Sequence, residues 1–139
     1  MESVSEKDQL VEMTRERYYH GAMPLQLVET TITLAELSIL ANERFGDMVK
    51  AVVDIENRSL AVGSELHVDA EQLLLNHGSH QKDLWGINLY PDAFGDDERF
   101  VEFDSMINLR PGQGNRSRSV EDPETRKKIV DIVRKKVTK

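Results

Sequence analysis

The side chains able to do chemistry crowd into one stretch of the chain, Phe100 to Ser119, which reads FVEFDSMINLRPGQGNRSRS. Glu102 and Asp104 stand two residues apart. In an extended strand that spacing puts both carboxylates on one face, about 7 Å apart. Carboxylates so placed can divide the roles of general acid and base, or hold a divalent cation between them. Asn108, Arg110, Gln113, Asn115 and Arg116 follow as the densest set of hydrogen-bond donors in the sequence. Two guanidiniums suit a carboxylate or phosphate bound in fork geometry. Gly112 and Gly114 leave the backbone free to add its own N–H groups in an anion-binding nest. Upstream, Asn88 and Tyr90 alternate with Ile87 and Leu89, which places them on the polar face of a neighbouring strand.

These residues carry two readings. In the functional one, Asn88, Tyr90, Asn108, Arg110, Gln113, Asn115 and Arg116 bind a ligand, and Glu102, Asp104 and His67 are the catalytic candidates. In the structural one, the loop uses its side chains to satisfy its own backbone, and the two acids pair with Arg110 or Lys50 across the sheet. His67 lies among Glu65, Asp69 and Glu71. Imidazole with carboxylate suits zinc, iron or manganese, but the spacing matches no metal motif, and Asp69 is already explained as a helix N-cap and Glu71 as an acid of that helix's first turn. No metal is assigned. The glycine spacing is neither a Walker loop nor a dinucleotide fingerprint, and no serine or cysteine nucleophile has a base beside it in sequence.

The elements that must position these groups emerge from periodicity and local signals. Leu25 to Ile32 is rich in β-branched residues and reads as a strand. Thr33 with Glu36 forms a capping box, Leu34, Leu37, Leu40, Ala41 and Phe45 give an apolar stripe, and Gly46 supplies a left-handed stop. Met48 to Ile55 and Ser59 to Leu66 make a hairpin. Asp69 with Gln72 reads as the start of a second helix that ends at Gly78. Trp85 to Tyr90 and Phe100 to Leu109 form a second strand pair across an acidic loop. Asp122-Pro123-Glu124 starts the last helix. The expected fold is a single α+β domain, in order β-α-β-β-α-β-β-α. Its mainly antiparallel sheet has about five strands, with three helices packed on one face. Residues 1–23 are expected to be a poorly ordered or loosely docked N-terminal extension, and residues 24–139 the domain.

Composition narrows the function classes. The chain has 139 residues, 39% hydrophobic and 31% charged, with no cysteine, which excludes disulfides, a thiolate nucleophile and a Cys-type zinc site. No apolar run reaches membrane-span length and the N-terminus does not read as a secretory signal, so a cytoplasmic location without membrane association is expected. The net charge of −7 is unevenly spread: residues 110–139 hold 10 Lys and Arg against 4 Asp and Glu. Such a basic end can be a solvated helix face, or can meet an anionic ligand or an acidic surface of a second copy. Nucleic acid is disfavoured because the whole domain is acidic and lacks interleaved surface aromatics.

The blocks GSELHVDAEQLLL, DLWGINLYPD and FVEFDSMINLRPGQGNRS resemble a family of small prokaryotic proteins grouped as a domain of unknown function. The resemblance runs from Leu25 to the C-terminus and implies one compact domain with residues 1–23 outside it. It brings no activity, cofactor or site residue. From the residues themselves, the expected function is binding of a small anionic ligand at a polar sheet face, with hydrolytic chemistry there. The alternative is a protein-interaction module or a regulatory homodimer without catalysis. A concave pocket at the Glu102/Asp104 face favours the first, and a flat face the second.

Overall fold

A computed structural model describes residues 25–139. In chain order the elements are strands Gln26–Val28 (β1) and Ile32–Thr33 (β2), helix Leu34–Arg44 (α1), strands Val49–Asp54 (β3) and Ser59–Ser64 (β4), helix His67–Asn76 (α2), strand Leu84–Leu89 (β5), the helical turn Asp97–Phe100 (α3), strand Val101–Glu102 (β6), helix Pro123–Lys136 (α4) and strand Val137–Thr138 (β7). The chain forms an α+β domain. Its five-stranded antiparallel sheet has the order β1-β4-β3-β5-β6, and β2 and β7 pair separately in parallel. The expected extension, residues 1–23, lies outside the described residues.

Both faces of the sheet are covered. Ala51, Val53, Leu60, Val62, Trp85, Ile87 and Leu89 pack on one face with Leu37 and Leu40 of α1 and Ile129, Ile132 and Val133 of α4. The intervening Val52, Ala61 and Leu84 pack on the other face with Ala70 and Leu74 of α2. The expectation of all three helices on one face therefore holds for α1 and α4 and is corrected for α2. The reason is visible in the strands, where Ala51-Val52-Val53 and Leu60-Ala61-Val62 are continuous apolar runs. A run of that kind marks burial on both faces.

Local chemistry sets the helix ends. The Thr33–Glu36 capping box forms, with the Glu36 N–H donating to Thr33 Oγ1 at 3.1 Å and the Thr33 N–H to Glu36 Oε1 at 3.1 Å. Such a cap contributes about 1 kcal/mol. Asp122 caps α4 by accepting from the Thr125 N–H. The second helix differs from expectation: it starts at His67, its N-cap Leu66 makes no side-chain bond, and Asp69 is an acid in its first turn.

Three irregularities shape the sheet and its polar face. The first strand is bent between Val28 and Ile32, so Leu25–Ile32 becomes two short strands in different sheets. In β4, Gly63 adopts φ +93° as the extra residue between the pairs Lys50–Ser64 and Ala51–Val62. This β-bulge brings Ser64 opposite Lys50, on the face that α2 covers. The strand expected over Phe100–Leu109 lasts only for Val101–Glu102 and then leaves the sheet, with a 3₁₀ turn at Met106–Asn108. Among the described residues, no helix is long and apolar enough to cross a membrane.

Candidate functional site

Pairing across the sheet aligns Ser64, Lys50, Asn88 and Glu102 in one row over β4, β3, β5 and β6. Tyr90 continues this face two residues beyond Asn88. Its hydroxyl donates to Oε1 of Glu102 at 2.8 Å. The Asn88 amide donates from Nδ2 to the same oxygen at 2.9 Å and to the Asp104 carbonyl at 3.3 Å. Two donors thus fix one oxygen of an exposed carboxylate, and Oε2 of Glu102 makes no hydrogen bond among the described residues. Burial, the hydrogen bond to Glu102 and the charges of Glu102, Asp47 and Asp104 push the Tyr90 phenol up to about 12, so at neutral pH it stays a donor.

The two other catalytic candidates are engaged. Asp104 accepts from Nε of Arg118 at 2.7 Å. The structural alternative of an Arg110 or Lys50 partner for it is corrected, because the chain leaves the sheet after Glu102 and meets the returning loop at Arg118. His67 opens α2, is buried, and donates from Nε2 to the Ile87 carbonyl at 2.8 Å. Burial pushes its pKa below the ordinary value of 6.5, with Lys50 adding to the depression and the Ile87, Asn88 and Asp104 interactions opposing it.

This depression makes the fold sensitive to acid. The unfolded chain takes up the His67 proton first, so folding stability is intact above pH 6.5 and declines as the pH falls from 6.5 towards the lower folded value. Chemical denaturation of the wild type and His67→Gln across that window should show the decline in the wild type and a shallower one in the variant. Parallel profiles would contradict it.

Beside Tyr90 and Glu102 opens a cleft of about 610 Å³. Asp47, Asp92, Glu98 and Glu102 bring four carboxylates to its lining, and Arg99 and Arg126 two guanidiniums. Arg126 is partly committed: it stacks 4.6 Å from the centre of the Phe103 ring, donates from Nε to the Val120 carbonyl at 2.5 Å, and from Nη2 to Ser119 Oγ at 2.7 Å. Phe103 and Val101 supply its apolar wall.

The loop donors lie elsewhere and bind backbone. The Asn108 amide, fully buried, imitates a strand against β5: Oδ1 accepts from the Gly86 N–H at 2.8 Å and Nδ2 donates to the Gly86 carbonyl at 2.9 Å. Asn115 Nδ2 donates to the carbonyls of Asn108, Ser117 and Ser119, and its Oδ1 accepts from the Glu121 N–H. Arg110 stacks 4.1 Å from the Trp85 ring centre and donates to the carbonyls of Gln81 and Leu84. Gln113 donates to the Lys82 carbonyl at 3.1 Å. Gly114, at φ +84°, lets the loop close through the paired backbones of Arg110 and Asn115. The side chain of Arg116 stands exposed, its backbone N–H on Glu121.

The structure therefore gathers His67, Asn88, Tyr90, Glu102 and Asp104 in one place, uses Asn108 and Arg110 to hold the edge of β5, Gln113 to hold the turn before it at Lys82, and Asn115 to hold the loop itself. Sequence reasoning missed Asp47, Asp92, Arg118 and Arg126 as members of the site's surroundings. Asp47 and Arg126 are remote in sequence from the site, while Asp92 follows Tyr90 by two residues and Arg118 lies within the Phe100–Ser119 stretch without a spacing that marks it. Among the described residues no group of three or more His, Asp or Glu side chains is placed to hold a metal ion.

The chain belongs to the family described as protein of unknown function (DUF5674), which it matches over residues 26–136. No curated protein matches it, and no solved structure does.

Proposed function

We propose that the domain binds a small polar ligand in the cleft beside Tyr90 and Glu102, and that the ligand presents a cationic amine to the free oxygen of Glu102. The observation that carries this reading is the placement of both protein donors on Oε1. The carboxylate is thereby held in one orientation while Oε2 keeps its capacity to accept. A carboxylate fixed in advance binds a donor at lower entropic cost than a free one. The lining adds a reason for the sign of charge, because carboxylates outnumber guanidiniums and part of Arg126 is occupied. The sequence points to an anionic ligand at the loop arginines. The use of Arg110 by backbone carbonyls and the Trp85 ring favours the acidic cleft instead. A recess of about 610 Å³ has the size of a small-molecule site and is broadly open to solvent. Any hydrolytic step would fall to Glu102 as base and Tyr90 as donor, since Asp104 is paired and His67 buried.

A thermal-shift panel tests the reading, with 1,4-diaminobutane, ethanolamine and guanidinium set against phosphate, acetate and citrate. A ligand at a hundred times its Kd adds about 2.7 kcal/mol, a rise of roughly 10 °C for a domain of this size. The amines should stabilise the wild type, and Glu102→Gln should remove most of that rise while leaving the unliganded melting temperature nearly unchanged. Stabilisation by anions alone, retained in Glu102→Gln, would overturn the proposal.

A further inference from the structure

We propose that the ligand of the Glu102 cleft is a zwitterion of the amino-acid class: its ammonium meets the free oxygen of Glu102, and a carboxylate at its other end meets the guanidinium of Arg126. The inference rests on the reading of Glu102 as the amine-accepting group, and adds to it the second half of the ligand.

Arg126 is as firmly placed as Glu102. Its guanidinium lies 4.6 Å from the centre of the Phe103 ring, with Nε on the Val120 carbonyl and Nη2 on Ser119 Oγ. A guanidinium carries five N–H donors in a planar fork, and these two bonds spend only the edge formed by Nε and Nη2. Nη1 makes no hydrogen bond or ion pair among the described residues, so the end of the fork that it shares with the second N–H of Nη2 stays open. That edge takes a carboxylate through two parallel bonds. Arg126 and Glu102 line one cleft, yet among the described residues no ion pair joins them. Each is held by neutral groups instead, a phenol and an amide for the acid, a carbonyl and a hydroxyl for the base. The backbone adds a donor. The carbonyls of Phe100 and Asp104 turn towards β5, where they accept from the Tyr90 N–H and the Asn88 amide, and the Val101 N–H turns outward to the Asp97 carbonyl. By the same alternation the N–H of Phe103 points away from β5. It makes no hydrogen bond among the described residues, and Phe103 lines the cleft.

Charge separates a zwitterion from its competitors. Asp47, Asp92 and Glu98 share the lining with Glu102, against Arg99 and Arg126. A free anion entering the cleft meets that surplus and is repelled. A simple amine satisfies Glu102 and leaves the fork of Arg126 open, and the second ammonium of a diamine meets a like charge there. A zwitterion brings no net charge and pairs both ends. The apolar wall of Val101 and Phe103 suits the short hydrocarbon between them. Arg99 also lines the cleft, but no hydrogen bond fixes its side chain among the described residues, so binding through it carries an ordering cost that Arg126 does not.

The test is calorimetric titration of the full chain with glycine, 4-aminobutanoate and 6-aminohexanoate, each beside its carboxamide, which keeps the amine and the length and loses the negative charge. The best-fitting acid should bind about tenfold more tightly than its amide, because hydrogen bonds between charged groups are the strong ones. In Arg126→Lys most of that margin should vanish while the affinity of the amide stays, since an ammonium cannot reproduce the fork. In Glu102→Gln acid and amide should both bind weakly. Arg126 also holds Val120 and Ser119, so the ¹⁵N–¹H spectrum of the lysine variant is checked for folding, and the comparison of acid with amide on the wild type decides without it. Equal affinity of every acid and its amide, or a margin kept in a folded Arg126→Lys, would overturn the proposal. If the amides bind and the carboxylate adds nothing, the zwitterion fails and the amine reading stands. If neither binds at any length, or if tight binding of an acid survives Glu102→Gln, both fall.

Discussion

Replacing Asn108 by alanine should cost the domain about 3–5 kcal/mol, a large share of what a domain of this size has to lose. The effect comes from what the amide leaves behind. Its Oδ1 takes the Gly86 N–H, and its Nδ2 takes the carbonyls of Gly86 and Arg118, at 2.8, 2.9 and 2.9 Å. The two Gly86 groups are buried with no strand beyond them to pair with, whereas the Arg118 carbonyl keeps the Ser105 N–H at 3.0 Å. Each buried polar group deprived of its partner costs about 1–3 kcal/mol. Asn108→Asp should be nearly as damaging, because a carboxylate can serve the N–H but repels the two carbonyls. Urea unfolding measures both. A loss under about 1 kcal/mol in the alanine variant would mean that the amide is not what closes the edge of β5.

The second large effect is steric. A Cβ added to Gly86 would lie 2.5 Å from both Cβ and Oγ of Ser105 and 3.1 Å from Cγ1 of Ile107. Ser105 cannot give way easily. It is 1% exposed, its N–H donates to the Arg118 carbonyl at 3.0 Å, and its Oγ accepts from the Ile107 N–H. Gly86→Ala should therefore destabilise by about 3 kcal/mol, at the upper end of overpacking. The cause is a specific contact, so it has a specific remedy. Gly86→Ala combined with Ser105→Gly should be more stable than the sum of the two single changes implies. Simple additivity in the double variant would point to backbone strain at Gly86 in place of the clash.

Both effects lie where the sequence misleads. The alternation in FVEFDSMINL is that of a half-buried strand, and a strand is the natural expectation. The chain instead leaves the sheet after Glu102, and the Asn108 side chain takes the place of the missing backbone. Periodicity reports which side chains are buried and is silent on whether the neighbour's partner is a peptide or an amide. The same limit applies to Arg110. A guanidinium facing carbonyl oxygens and one facing a ligand's carboxylate look alike in sequence, and only the placement of Gln81, Leu84 and Trp85 separates them.

Signals that act within a few residues are legible. The Thr33–Glu36 box, the turn at Gly46 and the Asp122-Pro123 start of α4 all form, because each is decided by local backbone chemistry. The continuous apolar runs of β3 and β4 do mark burial on both faces, but which helix covers which face is decided by tertiary packing, which hydrophobic pattern alone does not convey. At the site, the alternation of Asn88 and Tyr90 with Ile87 and Leu89 does place them with Glu102. Asp92, Glu98 and Arg126 reach the cleft from a loop, a helical turn and α4, and their arrival depends on the whole fold.

The central claim is that the cleft at Glu102, and not the arginine loop, receives the ligand. The most direct measurement is a ¹⁵N–¹H NMR titration of the wild type with 1,4-diaminobutane and, separately, with phosphate. The account predicts that the amine shifts the signals of the Asn88 side chain, Tyr90, Glu102 and Phe103 while those of Gln113, Gly114 and Asn115 stay in place, and that phosphate shifts neither set. Perturbations gathered on Arg110 to Arg116 in phosphate, with a cleft unmoved by amine, would contradict it.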